Sequence, residues 1–320
     1  MNRREFGKGL SLFSVAVGVG VPFRALAEDK SYTIGFSQVT TVEPWRVQFN
    51  KDLRAEADLH PNVTLLMSDA NDRTEEQVAQ VETFIQQGVD ALLISPKEAA
   101  GLTGVVEKAT AAGIPVFVLD RNVDTDKFVQ WVGGDNKLIG VAAGEFILKA
   151  LGGHGKAKGN IVEIYGGLGI QATFDRSDPV HAAVADEPGV KFLLNKQSGD
   201  WKQDKAYEIM ATALRNHEDI TLVYGHNDPM AYGAYLAAKD VGREKDIIFV
   251  GVDGLPGEGV TWVANGELAA TFLYPTPGAE GLRQALKYLA GEKVKKSVVL
   301  GTEAITKDNA DAILVKNGLK

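Results

Sequence analysis

From Tyr32 to Val252, short runs of β-branched and aliphatic residues alternate with amphipathic stretches of helical length, and this rhythm constrains the fold more than any other feature. Residues 32–39, 63–67, 91–95 and 114–120 read as strands. Between them lie helical patterns over 45–60, from Thr74 (where Thr74-Glu-Glu-Gln77 has capping-box spacing) and over 102–112. The pattern restarts with helices over 136–151, 172–185, 204–216 and 229–240 and strands over 160–165, 190–196, 222–225 and 247–252. Strands that are nearly continuously apolar belong in parallel sheets covered on both faces. Two successive sets of about four βα units predict an α/β chain of two doubly wound domains. The junction Trp131-Val-Gly-Gly-Asp-Asn136 has no Ser- or Pro-rich linker and reads as a hinge.

The first 27 residues stand outside this pattern. Arg3, Arg4 and Lys8 precede an uncharged, mostly apolar run over 10–21, and Ala25-Leu-Ala27 supplies the small-residue cleavage pattern of a secretory signal peptide. The run is shorter than the roughly 20 residues a spanning helix needs. Asn2-Arg-Arg-Glu-Phe-Gly-Lys8 reads as a twin-arginine export motif in preference to general secretion. Cleavage after Ala27 removes four basic residues and one acidic residue, so the formal net charge of −8 becomes −11 on the exported chain. That balance argues against a nucleic-acid or anionic-membrane surface. The absence of cysteine excludes thiolate catalysis, disulfides, cysteine metal sites and a lipid-anchored cysteine at the cleavage site.

In open α/β sheets ligands bind beyond the carboxyl ends of the strands. There the sequence places Trp45, Arg46, Ser95, Asp120, Arg121, Asp200, Trp201, His226, Asn227, Asp228, Asp253 and Gly254. Ionised carboxylates accept from hydroxyls, arginines donate to them, and an indole covers the C–H face of a sugar ring. Asp228-Pro229 reads as a helix cap followed by a first-turn proline.

At these residues the chain resembles the periplasmic sugar-binding proteins of ABC importers, the ribose- and galactofuranose-binding branch with a type I periplasmic binding protein fold. The resemblance rests on collinear pieces from about Tyr32 to Val299, among them Ile34-Gly-Phe-Ser-Gln-Val39, Leu93-Ile-Ser-Pro96, Leu119-Asp-Arg121, Asp135-Asn136, Ser198-Gly-Asp200, His226-Asn-Asp-Pro-Met230 and Val252-Asp-Gly254. It implies ligand contacts by Trp45, Arg46, Asp120, Arg121, Arg176, Trp201, Asn227, Asp253 and Tyr274. Trp45 and Trp201 fall where the family has opposed aromatic platforms. Asp120 with Arg121, and Asn227 with Asp253, match its hydroxyl-binding groups. Glu43 and Tyr274 replace the asparagine and glutamine of ribose binders, and the segment after Arg176 departs from the family's glycine–aromatic pair. The resemblance further implies three interdomain crossings, near Gly134, Tyr274 and Thr302, hence domains of 31–133 plus 276–302 and 135–273 plus 303–320.

The expected function is an exported, soluble, monomeric receptor, without cofactor or catalytic residues, that delivers a pentose, hexose or related polyol to a permease and its ATPase by cleft closure. The alternative is a nucleotide-dependent enzyme, because Gly167-x-Gly-x-x-Ala172 follows a strand. The next strand, however, ends in Asn195-Lys-Gln197 without the expected acid, and Gly152-Gly-His-Gly-Lys156 lacks phosphate-loop spacing. A repressor of the same fold needs a helix-turn-helix where this chain carries its export signal. The five histidines show no close ligand spacing. Hydrolysis by paired Asp120 and Asp253 stays open, with binding preferred because Arg121 would keep its neighbour Asp120 ionised.

Overall fold

Alternation resolves into two separate sheets in a computed structural model that describes residues 30–320. The export-signal reading of residues 1–27 lies outside the described residues. Ser31–Lys320 forms one compact unit. Its first half runs β1 (Tyr32–Gln38), α1 (Pro44–Asp58), β2 (Val63–Asp69), α2 (Thr74–Gln87), β3 (Ala91–Ser95), α3 (Ala99–Ala111), β4 (Val116–Leu119) and β5 (Gln130–Gly134). Then come α4 (Asn136–Ala150), β6 (Lys158–Tyr165), α5 (Gln171–Ala183), β7 (Gly189–Phe192), β8 (Gln197–Ser198), α6 (Gln203–Asn216), β9 (Ile220–Gly225), α7 (Asp228–Asp240) and β10 (Ile248–Val250). The chain ends with α8 (Thr261–Asn265), β11 (Ala270–Phe272), α9 (Gly278–Leu289), β12 (Ser297–Leu300), β13 (Ala304–Thr306) and α10 (Lys307–Lys316).

The first sheet has the order β12-β5-β4-β3-β1-β2, with every pairing parallel. All residues of β3 and β4 are buried, as a strand covered on both faces requires. The second sheet has the order β13-β11-β10-β9-β6-β7, with β8 beside β6. It is parallel except at its edge, where β13 runs antiparallel to β11. Each sheet changes winding direction once, between β1 and β3 and between β6 and β9. Those two switch points are where a ligand crevice is expected.

Helices α2 and α3 cover one face of the first sheet, while α6, α7, α8 and α10 cover one face of the second. A third apolar cluster is continuous from the α1/α9 face of the first lobe, through Trp45 and Tyr274, to the α4/α5 face of the second.

Several local expectations fail for physical reasons. Thr74 is the first helical residue of α2, not its cap, and its hydroxyl donates to Glu98 (2.7 Å). Gln77 is wholly buried and spans to the backbone of Ser95 and Lys97 (both 2.9 Å). The Trp131–Gly134 part of the expected hinge is strand β5, paired between β4 and β12; only Asp135, whose side chain caps α4, follows it. Asn227, not Asp228, caps α7 by accepting from Met230 N–H (3.0 Å). The strand expected over 190–196 ends at Phe192.

Candidate functional site

The loops leaving the strand ends are held in conformations that L-residues adopt rarely. Asp120 (φ 66°), Trp201 (φ 65°) and Asp253 (φ 129°) all have positive φ. Such strain costs of order 1–3 kcal/mol per residue and persists only where the surroundings enforce it. All three side chains line one cavity between the two sheets, with about 460 Å³ of empty space counted out to its mouth. Its wall is Glu43, Trp45, Arg46, Asp120 and Arg121 from the first lobe and Ala172, Arg176, Trp201, Asn227 and Asp253 from the second, with Tyr274 at the crossing from β11 to α9.

On the first lobe, the α1 N-terminus supplies the key cation. Arg46 sits in the first turn after Pro44, buried, and forms an ion pair with Asp120 (2.7 Å) while donating to the Ser95 hydroxyl (2.7 Å). The Tyr274 hydroxyl donates to the other Asp120 oxygen (2.6 Å). Burial pushes the Asp120 carboxyl up, but Arg46, Arg121 and the Tyr274 hydrogen bond outweigh it and hold it below its ordinary value. The Arg121 guanidinium donates to the Lys97 carbonyl (2.7 Å). Burial and the like charge of Arg46 bring Arg121 down to about 10. Trp45 donates its indole N–H to the Tyr274 carbonyl (2.7 Å) and stacks on that ring at 5.1 Å and 22°.

On the second lobe, Arg176 projects from α5 and is 3% exposed. Its Nε donates to Asn136 Oδ1 (2.8 Å), and one terminal nitrogen donates to the His226 carbonyl and lies 3.7 Å from Asp253. The guanidinium carbon stands 4.6 Å from the Tyr274 ring centroid and 5.5 Å from that of Trp201. Asn227 donates to the Trp201 carbonyl (3.0 Å). Burial raises the Asp253 carboxyl to about 7 despite Arg176. Its buried neighbour Asp228, which accepts from Gly254 N–H (2.8 Å), is raised first by burial and then by the charge of Asp253.

All nine residues that the resemblance implied as ligand contacts line this cavity, whereas the strand-end residues Ser95, His226, Asp228 and Gly254 do not. Nor does Asp200; it sits at the cleft mouth and pairs with Lys202 (3.3 Å) and Lys205 (3.0 Å). The main ionic partner of Asp120 is Arg46, not its neighbour Arg121. Sequence reasoning left Glu43 and Ala172 out of the lining. Glu43 was visible as a departure from ribose binders, and its buried Oε2 has no hydrogen-bond donor among the described residues. Asn136, which orients Arg176, carried no signal beyond its match to the family. The Gly-rich turn once compatible with dinucleotide binding has another use: a Cβ on Gly166 would lie 2.3 Å from the Trp201 ring. Among the described residues no cluster of His, Asp and Glu is arranged to hold a metal ion, and no helix is long and apolar enough to cross a membrane.

Residues 34–293 match the family model described as a periplasmic binding protein domain. The galactofuranose-binding protein YtfQ of Escherichia coli (strain K12) is 34% identical over 250 residues, covering 76% of this chain and 77% of that protein. The ribose import binding protein RbsB of Bacillus subtilis (strain 168) is 34% identical over 271 residues, covering 84% of this chain and 85% of that one. Among solved structures, the fructose-binding periplasmic domain of a hybrid two-component system superposes with a TM-score of 0.83 at 37% identity, covering 90% of this chain and 94% of that one. With two parallel α/β lobes around one polar cavity and a family match over most of its length, this chain belongs to the periplasmic binding protein family.

Proposed function

We propose that the protein is an exported receptor that binds a neutral monosaccharide between its lobes and presents it, by cleft closure, to the permease and ATPase of an ABC importer. The observation that carries this reading is the convergence of charged hydrogen-bonding groups from both lobes, with two indoles, on one cavity between the sheets. Arg46, Arg121 and Arg176 stand among the carboxyls of Glu43, Asp120 and Asp253, a mixed set of donors and acceptors that suits the several hydroxyls of a sugar. Trp201 adds a flat apolar wall. Galactofuranose, ribose and fructose are what the similar proteins are named for, and we favour a furanose form. The nine sequence-derived residues together with Glu43 are the proposed contacts. The proposed lobes are 31–133 plus 276–302 and 135–273 plus 303–320, with residues 1–27 removed on export.

One observation favours a second reading, hydrolysis by paired carboxyls: Asp120 is held low while Asp253 is raised, the division of roles a glycosidase uses. Binding without turnover is preferred because Arg46 occupies Asp120. The test is a thermal-shift and calorimetric panel of pentoses, hexoses, polyols and their glycosides, followed by recovery of the bound compound. One neutral sugar bound tightly and recovered unchanged is expected. Failure of every sugar, or tight binding of a nucleotide or a sugar acid instead, overturns the proposal; cleavage of a glycoside establishes the second reading.

A further inference from the structure

Glu163 breaks the pattern of its own strand. It lies in β6, between β9 and β7, where Ile161, Val162 and Ile164 are fully buried, and it is itself 1% exposed. A carboxylate so removed from water is tolerated only with full compensation. Its Oε1 accepts from His226 Nε2 (2.9 Å), and its Oε2 faces His181 Nε2 (2.6 Å). Against burial, these bonds hold the carboxyl well below the usual range. His181, on α5, also touches the Tyr165 hydroxyl (3.3 Å) and stacks on Phe192, covering the outer side of the carboxylate.

His226 has no exposed surface, and its second ring nitrogen, Nδ1, accepts the Gly166 N–H (3.3 Å). An accepting nitrogen carries no proton, so the ring is the neutral Nε2–H tautomer. Burial, outweighing the charge of Glu163, lowers the pKa of His226 and keeps it so. One ring therefore ties the carboxylate to two turns of the cavity wall. The first is the Gly166 turn, on which Trp201 packs. The second is the β9–α7 turn, in which the His226 carbonyl accepts from Arg176 and the next residue is Asn227.

We infer that Glu163 is a positioning residue for the cavity, acting through the Nε2–H of His226 to fix the carbonyl that holds Arg176 and the turn that presents Asn227. This rests on the sugar-site reading above. Local rules are broken where function requires it, and an acid in the middle of a buried strand is such a break.

The test uses the full-length mature chain and the sugar selected by the panel, with Glu163→Gln and Glu163→Leu beside the parent. Long-range ¹H–¹⁵N NMR of the His226 ring reports the tautomer without any ligand. The expected results are the Nε2–H tautomer in the parent and its retention in Glu163→Gln, whose amide oxygen still accepts, with affinity within about threefold. In Glu163→Leu the Nε2–H loses its acceptor, its ¹⁵N and ¹H shifts move, and affinity falls about 10–100-fold, the scale of one lost hydrogen bond to a charged group. Should Glu163→Leu not fold, the parent tautomer and the Gln variant still decide. An Nδ1–H or charged ring in the parent overturns the inference. So does a folded Leu variant with parental affinity, or a Gln variant that keeps the tautomer and loses binding. Absence of sugar binding by the parent instead overturns the sugar reading, while the tautomer remains measurable.

Discussion

Asp120→Asn separates charge from shape more cleanly than any other single change in the cavity. Asparagine tolerates the positive φ that Asp120 adopts (66°), whereas alanine there adds about 1–2 kcal/mol of backbone strain. The amide oxygen can still accept the Tyr274 hydroxyl, but the buried ion pair with Arg46 is lost. Hydrogen bonds to a charged acceptor contribute about 1.5–3 kcal/mol, and neutral ones about 0.5–1.5. If two ligand hydroxyls use this carboxylate, the substitution removes about 2–3 kcal/mol of binding, or about 30–150-fold in Kd. Asp120→Ala removes the acceptor altogether and leaves Arg46 buried without its partner, so it should abolish measurable binding and destabilise the fold by about 3–5 kcal/mol. Isothermal calorimetry gives the affinity, and scanning calorimetry gives the cooperativity and Tm of each variant. An Asn variant that binds within about threefold of the parent would refute the reasoning: the carboxylate charge would then serve only the Arg46 pair and not the ligand.

Other perturbations read other parts of the site. Gly166→Ala places a methyl group 2.3 Å from the Trp201 ring, so the ring must leave the cavity wall. Ligand affinity should fall at least about tenfold with little loss of Tm, the scale of one displaced aromatic contact. Parental titration curves, followed by intrinsic fluorescence, would show that Trp201 is not a contact. Asp253 is raised by burial from its ordinary value toward about 7, so between these two values the folded chain holds a proton that the unfolded chain has released. This contribution to the stability of the ligand-free protein is present at low pH and is lost as pH rises toward 7. Asp253→Asn should flatten that part of the Tm–pH curve, and an unchanged slope would assign it to other groups. Asp120, held low by Arg46, has the opposite sign: its contribution is present above its ordinary value and fails only in strong acid.

The fold was legible because parallel sheets write themselves into sequence as buried runs. Leu92-Leu-Ile94 and Val116-Phe-Val-Leu119 could hardly be anything else. Strand β5 escaped because Gln130 opens it and Gly133-Gly134 close it, a turn-like composition. Yet Gln130 is wholly buried, donating to the Lys295 carbonyl (2.8 Å), and a Cβ on Gly134 would meet the Tyr274 ring at 2.5 Å. Gly134 answers to a partner 140 residues away, which no local window contains, while Gly133 makes room for Trp131 two residues before it. The same limit applies to the site. Asp120, Arg121, Trp201 and Asp253 could be found as chemistry-bearing residues at strand ends. The Arg46–Asp120 pair and the Glu163–His226 bond span 74 and 63 residues and leave no trace in spacing.

Tyr274 touches ligand-site groups of both lobes. Its carbonyl accepts from Trp45 and its hydroxyl donates to Asp120, both first-lobe groups, while its ring lies beside Arg176 of the second. Asn136, where the chain passes from β5 into α4, donates to the same hydroxyl (3.4 Å) and orients Arg176. A ligand held by Arg46 and Asp120 alone interacts equally with an open or a closed protein and shifts nothing. Moving a cleft from mostly open to mostly closed, about 1:99 to 99:1, needs about 5.5 kcal/mol of differential interaction. At about 1.5–3 kcal/mol per charge-assisted hydrogen bond, two to four contacts with the second lobe suffice. Arg176, with more than one donor, and Asp253 can supply that number, and the Asn227 amide adds a weaker neutral contact. A deoxy sugar lacking the hydroxyls that reach them should therefore still bind weakly to the first lobe yet fail to close the cleft. Selectivity of this kind lies in the conformational step and not in the first encounter.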